Sequence, residues 1–167
     1  MLIDPEIITI PSKTMAGMSV TTTQSSVQDT FRLWQSFMPI KKEIKHLIDD
    51  NLYSIQIYPS NLEIAAFAAD TAFQKWAAVE VSQEAPLPDG MKTLIIPKGE
   101  YAVFVHHGTA ASFPKTAQYI FGLWLPNSVY AFDYRPQFEI MGPDYLGHDH
   151  EDSQEQVWIP IKKKNPN

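Results

Sequence analysis

The hydrophobic pattern of this chain predicts strands and amphipathic helices, and one strand-like element occurs twice. In IIPKGEYAVFVHHG (95–108), Ile95, Tyr101, Val103 and Val105 fall on one face of an extended segment. Alternation of this kind is typical of a half-buried strand. A similar but weaker pattern, ITIPSKTMAGMSV, lies near the start of the chain. Its first part, ITIPSKTMA (8–16), aligns with LIIPKGEYA (94–102).

The same correspondence continues along the chain. Further pairs follow in order: WQSFMP (34–39) with FGLWLP (121–126), IQIYP (55–59) with EIMGP (139–143), and WAAVEVS (76–82) with QVWIPIK (156–162). The order strand, helix, strand, strand therefore occurs twice, which indicates an internal duplication. We predict one domain over 1–167, made of repeat one (about 6–82), a linker (about 83–91), repeat two (about 92–162) and a tail (163–167).

Each repeat contains one predicted helix. In the first, the apolar residues at helical spacing are Val27, Phe31, Trp34 and Met38, after a Ser25-x-x-Gln28 capping pattern and before Pro39. In the second, Ser112 is the candidate N-cap and Pro126 ends the run, whose apolar face comprises Phe113, Ala117, Ile120, Phe121 and Trp124. The aromatic residues at helical spacing, Trp34, Phe37, Phe121 and Trp124, are expected in the core.

Two strand-helix-strand-strand units predict an α+β fold, with antiparallel sheet and helices on one side. Such a sheet can leave its opposite face free. If a pseudo-twofold axis relates the repeats, their free surfaces meet at one junction. We therefore expect a ligand cleft there, between the repeats.

Composition and charge narrow the functional classes. The chain has no cysteine, which excludes disulfides and thiolate chemistry and favours a cytoplasmic location. No signal peptide or membrane-spanning run is apparent. A net charge of -6 argues against direct nucleic-acid binding and suits a cationic small molecule, although it also simply aids solubility.

The histidines do not indicate catalysis or a metal site. His106 and His107 are neighbours on a strand and point to opposite faces, so we expect one inward and hydrogen-bonded and the other exposed. The stretch HDHEDS (148–153) contains potential ligands for a divalent cation, but it is more simply a solvated loop. No cofactor or metal is therefore predicted.

Taken together, the motifs resemble the GyrI-like small-molecule-binding family, the effector-binding domain of multidrug-responsive AraC- and MerR-type transcription regulators. The resemblance covers 6–162 and is carried by IIPKGEYAVFVHHG, IFGLWLPNSVY, FEIM and EQVWIPIK, together with the opening EIITIPSKTMAGM. It implies two pseudosymmetric units around an aromatic-lined cleft, in which a Glu faces cationic or apolar compounds. Regulators of the family carry a helix-turn-helix, for which residues before 6 leave no room, so the chain is expected to be a stand-alone member.

By this resemblance Glu139 in QFEIM is the ligand-facing carboxylate. Strand alternation alone leaves a solvent-facing position open, since Phe138 and Ile140 point the other way. The aromatic candidates for lining the cleft are Tyr58, Trp76, Tyr101 and Tyr130, because aromatic faces attract cations and planar molecules. The leading hypothesis is a sensor or sequestering protein for small hydrophobic, cationic or planar compounds.

Alternatives remain open. Some relatives hydrolyse electrophilic small molecules, and here Glu139 with Tyr101 or Tyr58 would act as general base and orienting hydroxyl. Other members bind DNA gyrase, so a protein partner such as a topoisomerase or a regulator is a third possibility, and a homodimer is also left open. No membrane interaction is predicted.

Overall fold

The computed structural model describes residues 4–83 and 85–165. Its strands are β1 (Glu6–Ile10), β2 (Lys13–Thr22), β3 (Leu52–Ile57), β4 (Phe73–Val81), β5 (Lys92–Ile96), β6 (Gly99–His107), β7 (Tyr130–Phe132), β8 (Gln137–Met141) and β9 (Gln154–Lys163). Its helices are α1 (Val27–Lys41), α2 (Phe113–Tyr119) and α3 (Leu125–Asn127), and a π-helical turn (Ile120–Trp124) joins the last two. The predicted α+β fold, with antiparallel sheet and helices, is confirmed.

The strands form one antiparallel sheet in the order β1-β6-β9-β8-β3-β4-β2-β5, and β7 pairs with the end of β9. The strands β5, β6, β8 and β9 of the second half correspond to β1, β2, β3 and β4 of the first. With this correspondence, the strand order is the same when it is followed from either edge of the sheet. β3 and β8 pair at the centre and join the halves. The first strand of each half pairs with the second strand of the other half, β1 with β6 and β5 with β2. The segment 95–108 is therefore two strands, which diverge after Pro97 and Lys98.

The sheet curls strongly, and the reason is the short link between β1 and β2. Six inter-strand steps separate these strands in the sheet order, which would be about 29 Å across a flat sheet. Only Pro11 and Ser12 connect them, and such a link spans at most about 11 Å. The two ends of the sheet must therefore approach each other.

The concave inner face is a packed apolar core. Its buried residues are Ile10, Met15, Tyr53, Ile55, Trp76, Ala78, Ile96, Tyr101, Phe138 and Ile140. Phe138 stacks on Trp158 and contacts Tyr101, with ring centroids 5.4 Å and 5.2 Å apart. The expectation that the helix-free face stays open at the junction of the repeats is wrong, because curling turns this face inward and fills it.

The helices cover the convex outer face in two separate apolar clusters. The α1 cluster buries Leu33 and Phe37 on Ala77, Val79 and Val81 of β4. The second cluster packs α2, α3 and the π-helical turn on β6 and β9, with Phe104, Ile120, Leu125, Phe132, Val157, Ile159 and Ile161 in its core. A strip of the outer face over the central strands lies between the two clusters.

Of the predicted apolar face of α1, only Trp34 packs against the α1 cluster, beside Phe37. Val27 is 70% exposed, Phe31 52% and Met38 44%, and the helix buries Leu33 and Phe37 instead. The N-cap is Ser26 without a side-chain cap bond, and Pro39 lies inside the helix. In the second half, Pro126 likewise lies within α3 and does not end the helical run. In the described part of the chain, no helix is long and apolar enough to cross a membrane.

Candidate functional site

The strip between the two helix clusters is polar at its centre. β3 and β8 pair so that Ser54 lies opposite Glu139 and Gln56 lies opposite Gln137. Residues directly opposite each other in a sheet share a face, and Ser54 also pairs with Ala77 of the α1 cluster. All four side chains therefore lie on the outer face, and we call them the central seam. The seam follows the contact between the two halves of the chain.

Glu139 is the acidic group of the central seam and is only 7% exposed. Its Oε1 accepts a hydrogen bond from Gln56 Nε2 at 3.1 Å. Burial raises the pKa of this carboxyl to about 7; nearby Lys75 opposes the rise, Glu155 adds to it, and hydrogen bonding by the seam amides opposes it. The solvent-facing alternative for Glu139 is wrong.

Two more charged residues act on Glu139, and the sequence analysis missed both. Lys75 of β4 lies opposite Gln56 in the register, and burial lowers its pKa although Glu139 and Glu155 raise it. Burial raises the pKa of Glu155, which Lys75 opposes. The sequence does contain a signal for Lys75. It is a lysine on the face of β4 that otherwise carries the apolar residues Phe73, Ala77 and Val79.

The central seam presents hydrogen-bond acceptors that have no partner. Gln56 Oε1, Gln137 Oε1 and Glu139 Oε2 are buried, and none is hydrogen-bonded within residues 4–83 and 85–165. Leaving a buried acceptor unpaired costs about 1–3 kcal/mol, more for a charged group. The buried polar groups of a native fold nearly always have partners, so this concentration of unpaired acceptors marks the seam as a candidate binding site.

Aromatic rings stand beside the polar seam. Tyr58 follows β3 on the face of Gln56, and its ring lies 4.6 Å from Phe67, 5.4 Å from Phe73 and 6.1 Å from Phe132 between centroids. Burial raises the pKa of Tyr58, and the negative charge of Glu139 raises it further. The three phenylalanines were not predicted as site residues, because no local pattern relates positions so distant along the chain.

The other predicted aromatic residues lie elsewhere. Tyr130 stacks on Trp124 with ring centroids 6.2 Å apart, within the second apolar cluster of the outer face. Trp76 and Tyr101 belong to the concave core, and the buried Tyr101 hydroxyl donates to the carbonyl oxygen of Pro136 at 2.7 Å. The structure does not bring Trp76 and Tyr101 to Glu139, because strand alternation places them on the opposite face of the sheet.

The adjacent histidines have a structural role. His106 is buried, and its Nε2 donates to the carbonyl oxygen of Thr109 at 2.9 Å, so its Nδ1 accepts from Thr116 Oγ1 at 2.7 Å. His107 is exposed. The prediction of one inward and one outward histidine is confirmed. The loop 148–153 forms no metal-binding cluster with other residues of the described chain.

In the described part of the chain, neither of the two main cavities has Glu139 in its lining. A groove of about 180 Å³ lies where β8 diverges from β9, and Asn51, Asp144 and Glu155 are among its lining residues. A second of about 330 Å³ lies between α1 and β2 and includes Asp29 and Arg32. Because Glu139 is only 7% exposed, a ligand reaches this carboxylate only if neighbouring side chains move.

Comparison with known proteins extends these observations. Residues 6–161 match the family model described as integron-associated effector binding protein. The transcriptional regulator BrlR of Pseudomonas aeruginosa is 28% identical over 130 residues, which are 78% of this chain and 45% of BrlR. The chain thus spans about half the length of this relative.

Solved structures share the fold at low identity. The structure of SAV2435 bound to tetraphenylphosphonium superposes with a TM-score of 0.70 at 14% identity, over 96% of this chain and 94% of that chain. An integron cassette protein of Vibrio cholerae gives a TM-score of 0.66 at 16% identity, over 96% and 97% of the two chains. At these identities, the likeness establishes the fold alone.

Proposed function

The chain belongs to the family of integron-associated effector-binding proteins, as the GyrI-like motifs predicted, and on that premise we propose that it binds small lipophilic cations at Glu139. Membership supports binding of small molecules in general. The choice of ligand charge rests on one observation, a carboxylate on the outer face that is buried without a salt bridge in the described residues.

A buried carboxylate favours a cationic ligand for a simple electrostatic reason. An isolated charge in an apolar environment is costly, and the carboxylate responds by taking up a proton. A bound cation replaces that proton and stabilises the ionised form. The raised pKa of Glu139 reflects the cost of keeping this carboxylate ionised without a paired cation.

The aromatic cluster of Tyr58, Phe67, Phe73 and Phe132 supplies the lipophilic part of the proposed site. A cation above an aromatic face gains about 0.5–2 kcal/mol, and the rings remove apolar ligand surface from water. SAV2435, which shares this fold, was solved with tetraphenylphosphonium. That cation is a lipophilic aromatic species of the class proposed for this chain.

Access to Glu139 is expected through the segment 58–72, which follows β3. This segment contains only one short 3-10 turn. It is held by Tyr134, whose hydroxyl donates to the carbonyl oxygen of Leu62, and by the Ser25 N–H, which donates to that of Ala69. Few bonds need to break for it to move, so we propose that this segment opens to admit the ligand.

Calorimetric titration with tetraphenylphosphonium and with a neutral analogue of similar shape, triphenylmethane, tests the proposal. Glu139→Gln should weaken the phosphonium at least about tenfold, the effect of a charge interaction of about 1.4 kcal/mol, and leave the neutral compound unchanged. Glu151→Gln removes the same charge from an exposed loop position and serves as the matched control. Equal losses for both compounds, or no binding of the phosphonium to the unmodified protein, would refute the role of Glu139.

Whether the protein senses or sequesters its ligand is part of the proposal and depends on what it is coupled to. BrlR is a transcriptional regulator, and this chain matches less than half of it. A regulatory output therefore requires either a DNA-binding partner or a linked domain. If the ligand changes the DNA binding of a partner protein through this chain, the chain acts as a sensor. If no partner responds to the ligand, sequestration is favoured.

Hydrolysis is a second candidate, favoured by one observation. A carboxyl with a pKa of about 7 is suited to general acid–base catalysis near neutral pH, and Tyr58 supplies a hydroxyl near it. Tyr101 is not available to this site, since it lies in the concave core. Turnover of an electrophilic cyclopropane that is lost in Glu139→Gln but retained in Tyr101→Phe would favour this reading over binding alone.

A further inference from the structure

We propose that the central seam selects cations that donate N–H hydrogen bonds, such as protonated amines and amidines, over cations without N–H groups, such as quaternary ammonium and phosphonium ions. This inference rests on the proposed function, because it assumes that a cation occupies the site beside Glu139. It goes further by assigning a chemical class from the atoms that line the seam.

The key observation is the set of unpaired acceptors. Gln56 is 4% exposed, Gln137 3% and Glu139 7%, and each presents one buried oxygen without a hydrogen-bond partner in the described residues. These oxygens can only accept, since an amide carbonyl and an ionised carboxylate have no proton to give. A ligand that satisfies them must therefore bring donors.

The orientation of the amides follows from their other contacts. Gln56 Nε2 lies 3.1 Å from Glu139 Oε1 and 3.4 Å from Ser54 Oγ. Ionised Glu139 can only accept from this nitrogen, so turning the amide over would place Gln56 Oε1 against a carboxylate oxygen. Gln137 lies on the face of β8 that carries Glu139, and its side chain lowers the pKa of that carboxyl, which favours the orientation with its N–H side toward the carboxylate. The carbonyl oxygens of both amides are what remains for a ligand.

The register brings the acceptors within reach of one donor group. Gln56 and Gln137 are directly opposite on β3 and β8, and Glu139 is one diagonal step away. Opposite Cβ atoms in an antiparallel pair are about 4.5–5.5 Å apart and diagonal ones about 7–8 Å. A single ammonium or amidinium group has donors on more than one side and can address several of these oxygens together.

Lys75 is the internal alternative to such a ligand. It lies opposite Gln56 in the register and carries three donors, yet in residues 4–83 and 85–165 it forms no hydrogen bond with the seam oxygens. If these acceptors served only to hold Lys75, the seam would show no preference among added cations. Lys75→Met separates the two roles, since it removes this donor and keeps the acceptors.

A matched ligand pair measures the preference directly. Naphthylmethyl-dimethylamine, protonated near pH 8, and naphthylmethyl-trimethylammonium are both monovalent cations and differ by one N–H in place of one N-methyl. Hydrogen bonds to charged groups each contribute enough for about tenfold to hundredfold in affinity. Calorimetry near pH 8, where Glu139 is largely ionised, should therefore give at least about tenfold tighter binding of the N–H member.

Variants assign the preference to the amides. Gln56→Met and Gln137→Met keep side-chain length and remove the amide acceptors. The double variant should lower the affinity ratio to the part that Glu139 alone provides, while the quaternary ligand still binds. Gln137→Met alone should lower the ratio in part, and it keeps the test valid if the double variant does not fold. In Lys75→Met the preference should persist.

The outcomes separate this inference from the proposed function. Equal affinity of both ligands for the unmodified protein, or a ratio that is undiminished in the double variant, overturns the N–H selectivity of the seam amides and leaves cation binding standing. Loss of the preference in Lys75→Met would also overturn it. If neither cation binds, the proposed function itself fails.

Discussion

Replacing Glu139 by glutamine should stabilise the protein above neutral pH, and the gain should vanish in mild acid. The carboxyl has an ordinary pKa of 4.5 and a pKa of about 7 in the folded protein, chiefly because it is buried. Below 4.5 both states are protonated, and the shift has no effect on stability. Between the two values the unfolded chain loses its proton while the folded protein keeps it, so the free energy of unfolding falls as pH rises.

The size of the effect follows from the shift. Each pKa unit corresponds to about 1.36 kcal/mol, so the rise from 4.5 to about 7 removes about 3 kcal/mol of stability by pH 8. Glutamine does not ionise and has no such loss. For a chain of this size the difference between the two proteins should reach about 6–12 °C in Tm near pH 8.

Urea unfolding of the unmodified protein and of Glu139→Gln at several pH values between 5 and 8 provides the measurement. The difference in unfolding free energy should grow with pH up to about 7 and then level off, while Glu151→Gln, at an exposed position, should follow the unmodified protein throughout. A difference between the two that is constant from pH 5 to 8 would show that Glu139 is not held protonated by its surroundings, and the electrostatic argument for the site would fall with it.

Further predictions follow from the same contacts. Affinity for tetraphenylphosphonium should rise by about tenfold or more as pH increases through the pKa of Glu139 near 7; a flat titration profile would contradict this. At a pH well above the pKa of Glu139, where the carboxyl stays ionised without Lys75, Lys75→Met should raise the affinity for lipophilic cations several-fold by removing a competing positive charge. Lys42→Met at an exposed position should not, and calorimetry of both variants decides. Tyr101→Phe should leave ligand binding unchanged and cost about 1 kcal/mol of stability in urea unfolding, because it removes the hydrogen bond to Pro136 inside the concave core. A loss of binding in that variant would place Tyr101 at the site.

Local sequence patterns were sufficient for those features that depend on neighbouring residues. Strand alternation correctly placed His106 and His107 on opposite faces, and it separated Glu139 from Phe138. The family motifs singled out Glu139, which the fold buries. The α+β class followed from the order of the elements, which the printed sequence contains.

The same patterns do not determine which face of a helix or strand is buried. In α1, Val27, Phe31 and Met38 are spaced as regularly as Leu33 and Phe37, and only packing on β4 determines that the second pair is buried. Likewise, alternation cannot tell which face of a strand a helix will cover. Trp76 and Tyr101 were therefore grouped with Glu139, although they occupy the opposite face.

The sequence by itself determined the α+β class, and it indicated two similar halves and Glu139 as the candidate acidic residue, because these depend on periodicity and short motifs. The tertiary structure decided the exchange of β1 and β5 between the halves, the inward curl of the sheet, and the meeting of Gln56, Gln137 and Lys75 with Glu139. These features depend on pairing between segments far apart in the chain. Such pairing is selected by the burial of the whole sheet, for which no single segment carries the information.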